Sequence, residues 1–271
     1  MRVANYDSIA SKYDRRYDLY EYAGVKDTLT TFLGPPSLAR DVASFGEAGW
    51  CPSILEVGCG TGHWLSVLRS ATALAERPLL AGVEPSSEML ARARATAPSA
   101  LLIRATAEAL PWRDATFDRV YCINALHHFS DRVQFFAEAR RILKPGGGLL
   151  SIGKDPHVER DTWWVYEYFP ETLGIDRDRF ARVRTLRGEL AAAGFTWAES
   201  FECDHIEAMR PAGEALTTGI VDRAYTSQLT VLSDEEFGAG VARIRAANDA
   251  AGHELQLVTD FWLYATVGWL V

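Results

Sequence analysis

A chain of 271 residues, 48% of them apolar, is long enough for one large α/β domain with an added cap. Its net charge of −8 and lack of a long basic run disfavour a nucleic-acid partner, because phosphate binding rewards clustered Lys and Arg. Cys51, Cys59, Cys122 and Cys203 form no CxxC pair and no metal-ligand spacing, residues 1–7 hold no apolar signal core, and 261–271 is too short to span a bilayer, so a reduced cytoplasmic protein without a metal site is expected.

In residues 5–20, Tyr6, Ala10, Tyr13, Tyr17 and Tyr20 recur three or four apart, so the spacing predicts one helix with an aromatic face. A second helix over 22–33 stops at Gly34-Pro35-Pro36. Ile54–Val57 reads as a buried strand that enters a turn with glycines at alternate positions, Gly58, Gly60 and Gly62, followed by a helix over 63–69. Such a turn brings backbone close to a ligand at a helix N-terminus. Its G-x-G-x-G spacing departs from the G-x-G-x-x-G of dinucleotide sites, which disfavours a nicotinamide oxidoreductase.

Strands are predicted at 79–83, 101–103, 117–123 and 149–152, with Ser86 capping the helix after the second and another helix over 133–143. Lys144 to Gly148 reads as a turn. This alternation predicts right-handed crossovers and a doubly wound, mostly parallel sheet. Residues 155–181 are aromatic and aperiodic; then come a helix over 182–193, a strand over 195–203, a second insertion at 208–232, a helix over 233–251 and a strand over 255–270. The result is a single seven-stranded domain, 1–271, with N-terminal helices in 1–34, a core at 53–153 and inserted cap segments at 155–181 and 208–232.

Glu84 closes the second strand beside the glycine turn, at the sheet edge where ligands bind. A carboxylate there suits the two hydroxyls of a ribose, although a solvated strand-end Glu is the bland alternative. The ordered set Ile54-Leu55-Glu56-Val57-Gly58-Cys59-Gly60-Thr61-Gly62, Gly82-Val83-Glu84-Pro85-Ser86, Ala107-Glu108-Ala109-Leu110-Pro111 with Phe117-Asp118, His127-His128, and Leu143-Lys144-Pro145-Gly146-Gly147 resembles the class I S-adenosylmethionine-dependent methyltransferases, in particular their small-molecule, ubiquinone-methyltransferase-like branch. The resemblance covers about 5–155 in motif detail and implies a Rossmann-like fold with an antiparallel C-terminal strand. It implies S-adenosyl-L-methionine as cofactor, with its methionine part against Glu56, Gly58, Cys59, Gly60 and Gly62. By the same resemblance the ribose falls to Glu84, with Pro85, Ser86 and Met89 beside the adenosine and Thr106, Ala107 and Glu108 flanking the adenine. Asn124 and Ala125 lie under the sulfonium and Tyr13 sits on a lid helix; Tyr6 and Tyr17 are lid contacts or an aromatic core stripe.

The exit of the fourth strand, Asn124-Ala125-Leu126-His127, lacks the Asn/Asp-Pro-Pro-Tyr/Phe signature by which this fold methylates nucleobase amines. A small-molecule acceptor, apolar or aromatic, is therefore favoured over nucleic acid, with a non-catalytic cofactor-binding module as the other alternative. His128 and His127 stand where a methyl group would project, as proton acceptors or substrate-orienting groups, or as histidines bonded to backbone. Trp163, Trp164 and Tyr168 are candidates for an apolar substrate cap, or pack the cap itself. Arg223, Tyr225, Ser227 and Gln228 are polar candidates from the second insertion.

Overall fold

The computed structural model describes residues 6–34, 51–70 and 78–271. Its central strands are β1 (Ser53–Val57), β2 (Leu79–Val83), β3 (Leu101–Ile103), β4 (Phe117–Ile123) and β5 (Leu143–Gly153). All five residues of β1 are buried, as expected of a strand covered on both faces. These five pair in parallel in the order β3-β2-β1-β4-β5. The C-terminal strand β8 (Gln256–Trp269) lies antiparallel to β5, and β7 (Trp197–Pro211) lies antiparallel to β8. A two-residue strand, β6 (Thr162–Trp163), also pairs with β8, so among the described residues the sheet holds eight strands where seven were expected.

The connecting helices are α1 (Tyr6–Ile9), α2 (Ala23–Leu33), α3 (His63–Ser70), α4 (Ser87–Thr96) and α5 (Arg132–Ile142). Beyond β5 come α6 (Trp164–Tyr168), α7 (Glu171–Arg179), α8 (Val183–Ala192), α9 (Ala212–Thr218), α10 (Ser227–Thr230) and α11 (Asp234–Ala250). Two apolar layers flank the sheet. Leu29, Phe32 and Trp64 join Tyr121, Leu150 and Leu263 on one face, together with Trp164 and Phe169 from the 155–181 segment. Phe135, Phe136, Ile142, Leu186 and Leu190 fill the other, contributed by α5 and α8.

Several boundaries differ from expectation. The N-terminal segment is not one helix: α1 ends at Ile9 and a separate 3-10 helix runs from Tyr13 to Asp18. Its side chains are tied to different elements, Tyr6 to His128, Asp14 to Thr61 and Lys12 to Asp222, and so short a helix has little stability of its own to resist them. The Lys144–Gly148 turn is instead the start of β5, with a bulge between the Phe117 and Arg119 pairings. Gly146, at φ 75°, provides the left-handed residue that the irregularity needs. β7 runs on to Pro211, past its predicted end at 203 and into the 208–232 segment, because β8 offers a partner along its whole length. The Pro35-Pro36 stop signal lies outside the described residues. Buried Arg119 closes the end of α2 by donating to the carbonyls of Phe32 and Gly34, both at 2.9 Å. Among the described residues, no helix is long and apolar enough to cross a membrane.

Candidate active site

The carboxyl ends of β1 and β2 frame a cleft of about 280 Å³. Gly58, Gly60 and Gly62 all adopt positive φ, at 74°, 52° and 81°. The N–H groups of Gly58 and Cys59 both donate to Val83 O, at 2.8 and 3.0 Å, which pins the turn to β2. A Cβ on Gly58 would stand 2.7 Å from the Cβ of Ala125, so the turn also sits directly against the β4 exit. Glu84 is buried and accepts from the N–H of Gly60 at 3.0 Å and of Ser86 at 2.9 Å. Burial pushes its pKa up, and those two donors pull against the shift. Glu56 lies deeper; burial holds its carboxyl well above the usual range, and the Tyr121 hydroxyl donates to it at 3.1 Å.

Every cofactor residue expected from the sequence lines this cleft except Gly62 and Ser86. Gly62 instead lets α3 approach α4, since a Cβ there would lie 3.1 Å from Ala93 Cα. Ser86 is the N-cap of α4, accepting from the N–H of Met89 at 3.1 Å. The cleft also includes Arg16, Trp64, Phe129 and Ser130, which sequence reasoning missed. No motif in the sequence singles out Arg16. The 3-10 turn brings it inward, where its guanidinium lies 3.7 Å from the centre of the Tyr13 ring and donates to the Tyr17 hydroxyl at 3.0 Å.

A second, smaller chamber of about 70 Å³ adjoins the first, and the two share Tyr6, Arg16, Asn124 and His128. Asn124 turns sharply after β4 with φ 51°, a conformation that Asn tolerates better than most residues. Its N–H donates to Ile152 O at 2.8 Å, and the turn presents Asn124 and Ala125 to the cleft. His128 Nε2 is hydrogen-bonded to the Tyr6 hydroxyl. Burial, aided by the charges of Arg179 and Arg16, pushes the His128 pKa down to about 3. His127 stacks on Phe180 with ring centroids 3.9 Å apart, and burial likewise drives its pKa well below the usual value. Both imidazoles are neutral near pH 7, and the Tyr6 bond engages one of the two ring nitrogens of His128.

Of the expected substrate residues, Trp163 and Gln228 line the second chamber, together with Tyr225 and Ser227. Trp164, Tyr168 and Arg223 do not. Trp164 and Tyr168 pack into the core, and Arg223 ties the 223–234 loop by donating to Ser233 O at 2.9 Å and to Asp234 at 2.8 Å. Gln228 is itself held by donating to Asp176 at 2.7 Å. Sequence reasoning missed Lys154, the first residue after β5, whose ammonium sits 3.8 Å from the Trp163 ring centre. Burial pushes its pKa down to about 8, against the opposing charges of Asp161 and Asp176.

The sequence family described as "Methyltransferase domain" matches residues 55–151. The demethylmenaquinone methyltransferase of Shouchella clausii is 30% identical over 182 residues, covering 64% of this chain and 77% of that one. The chain belongs to the class I S-adenosylmethionine-dependent methyltransferases. Another relative, the 27-O-demethylrifamycin SV methyltransferase of Amycolatopsis mediterranei, is 35% identical over 102 residues, but the match spans 35% of this chain and 36% of that protein. A solved structure from Anabaena variabilis, described as a methyltransferase of an antibiotic biosynthesis pathway, superposes with TM-score 0.65 over 89% of this chain and 95% of its own, at 21% identity. At that identity it speaks for the fold alone.

S-adenosylmethionine, the cofactor of this family, suits the donors that the first cleft presents. The glycine turn is bare of side chains where a ligand would press on it: a Cβ on Gly60 would meet nothing closer than Tyr13 Cε1 at 3.8 Å. Glu84 is a buried acceptor at the cleft wall, as a ribose diol requires. Arg16 supplies a cation able to face the cofactor's carboxylate.

Proposed function

We propose that this methyltransferase transfers the methyl group of S-adenosylmethionine to a small acceptor, apolar or aromatic, held in the second chamber. One observation carries the reading: the two chambers meet at Tyr6, Arg16, Asn124 and His128. A ligand in each would approach the other across that wall. The names of two relatives, for demethylmenaquinone and 27-O-demethylrifamycin SV, support an acceptor of this kind.

When bound, the cofactor supplies a sulfonium-activated methyl group, which a nucleophile takes in line as the carbon–sulfur electron pair returns to sulfur. The chain's own work is then alignment and exclusion of water. Glu84 holds the ribose, the bare backbone of Gly58 and Gly60 admits the methionine part, and Asn124 with Ala125 forms the floor beneath the reacting centre. Tyr6 and Tyr13, on the N-terminal 1–34 segment, close the cleft from above. The 155–181 and 208–232 segments supply the acceptor walls through Trp163, Phe180, Tyr225 and Gln228. His128 orients the acceptor through its bond network, and its Nε2 takes a proton only once the Tyr6 hydroxyl has yielded it. We further place this activity in the cytoplasm.

Calorimetry with S-adenosylhomocysteine, followed by turnover assays on phenolic and quinol acceptors, tests the proposal. Micromolar binding and methylation of at least one acceptor are expected. Absence of binding rejects the cofactor assignment. Binding without turnover on any acceptor leaves a cofactor-binding module.

A further inference from the structure

We propose that the acceptor carries an acidic oxygen, on a phenol, enol or carboxyl group, and that Lys154 binds it as the oxyanion. The proposal rests on the methyltransferase reading above and narrows its substrate class.

Lys154 is a buried ammonium without a hydrogen-bond partner among the described residues. It follows directly on β5, at the carboxyl edge of the sheet, and borders the acceptor chamber. Aromatic rings surround it: the ammonium is 3.8 Å from the centre of Trp163, 4.2 Å from Phe261 and 4.7 Å from Tyr166. Such rings stabilise a cation without using its N–H donors. None of the Lys154 N–H donors meets an acceptor among the described residues, in a place where an unpaired polar group is costly.

The neighbouring carboxylates do not consume them. Asp161, just before β6, forms an ion pair with Lys154 at 3.9 Å, too long for a hydrogen bond, and its other oxygen accepts from the Trp262 N–H at 3.2 Å. Asp176 on α7 is engaged by Tyr166, Gln228 and Arg179, at 2.7, 2.7 and 2.6 Å. His127, from the turn after β4, is neutral. Among the described residues, the chamber wall holds two cations, Lys154 and Arg16, and no carboxylate; with Arg16 facing the cofactor's carboxylate, Lys154 is the cation left for the acceptor. That wall repels an ammonium acceptor and favours an anion. Pairing an anionic acceptor with a sulfonium also suits a dry site, because their opposite charges cancel as the methyl group moves.

The test uses the full chain saturated with S-adenosylhomocysteine. Two acidic probes, 4-nitrophenol and benzoate, are titrated beside their neutral isosteres, nitrobenzene and benzamide. At least one acidic probe should bind about tenfold tighter than its isostere. Bound nitrophenol should ionise about one pH unit below the free compound, read from the phenolate absorption band. Lys154→Met should abolish both effects while S-adenosylhomocysteine affinity stays unchanged; a merely structural role of Lys154 in the aromatic box would move neither. Preference for nitrophenolate assigns a phenol or enol, and preference for benzoate a carboxyl. Equal binding of charged and neutral probes, survival of the preference in Lys154→Met, or no probe binding to the S-adenosylhomocysteine complex overturns the proposal and leaves the cofactor reading standing. Failure of S-adenosylhomocysteine itself to bind overturns the cofactor reading first.

Discussion

The Tyr6 hydroxyl is hydrogen-bonded to His128 Nε2, and the two rings meet edge to face with centroids 5.0 Å apart. This bond joins the N-terminal segment to the β4 exit at the wall shared by both chambers. Tyr6→Phe removes it and leaves a buried imidazole nitrogen unsatisfied, a loss of about 1 kcal/mol. S-adenosylhomocysteine affinity should fall about fivefold, as that energy implies, and amides of residues 6–18 should exchange faster with deuterium. Unchanged affinity and exchange would show that the segment closes without this bond.

Glu84 does two jobs, since its carboxylate holds the N–H groups of Gly60 and Ser86 and also faces the cleft. Glu84→Gln keeps the volume but loses the charge and one acceptor oxygen. Hydrogen bonds to charged groups contribute about 1.5–3 kcal/mol, so cofactor affinity should drop by about 10-fold to 100-fold, with the circular dichroism spectrum preserved. Calorimetry with S-adenosylmethionine decides it, and an affinity equal to wild type would remove Glu84 from the ribose site.

Gly58 and Gly146 share a left-handed backbone, at φ 74° and 75°, but not their surroundings. A Cβ on Gly58 meets Ala125 at 2.7 Å, whereas one on Gly146 meets nothing within 4 Å. Gly146→Ala should therefore cost about 1 kcal/mol of backbone strain and leave cofactor binding intact. Gly58→Ala adds a clash at the floor of the cleft; it should lower stability by several kcal/mol and abolish detectable binding. Urea denaturation of both variants, with cofactor titrations, separates the two. Equal losses would mean that backbone conformation alone governs the turn.

The glycine turn, Glu84 and the β4 exit were legible in the sequence because each is local. A strand, its turn and the next helix lie within about a dozen residues, and their spacing alone orients them. Arg16 and Lys154 were not legible, because distant residues set their surroundings. The box around Lys154 joins Trp163 and Tyr166 to Phe261, about a hundred residues further along. Trp163 and Trp164 show the difficulty most sharply. Trp163 is extended, with ψ 124°, at the end of β6, and Trp164 opens α6. Both indoles are buried in the same apolar cluster, but only Trp163 also borders the chamber, and no residue spacing in an aperiodic stretch announces the difference.

The paired histidines give the fold a pH dependence of definite sign. Burial holds His127 and His128 below the ordinary 6.5, His128 at about 3. Below pH 6.5 the unfolded chain takes up protons that the native state refuses, so this contribution to stability is full above 6.5 and falls as pH falls toward the native values. Glu56 and Glu84 act in the opposite sense, because burial raises their pKa and the native state holds their protons at higher pH than the unfolded chain does. Total stability mixes the two, and a single substitution separates them. His127→Leu removes one refused proton and keeps an apolar surface for Phe180 to stack against. Between about pH 7 and about pH 5, wild type should lose stability relative to the variant, by up to about 2 kcal/mol, the ceiling that one proton's linkage sets over that range. Urea denaturation of both proteins at the two pH values measures it; a difference that stays constant with pH would mean that His127 is protonated as readily in the native state as in the unfolded chain.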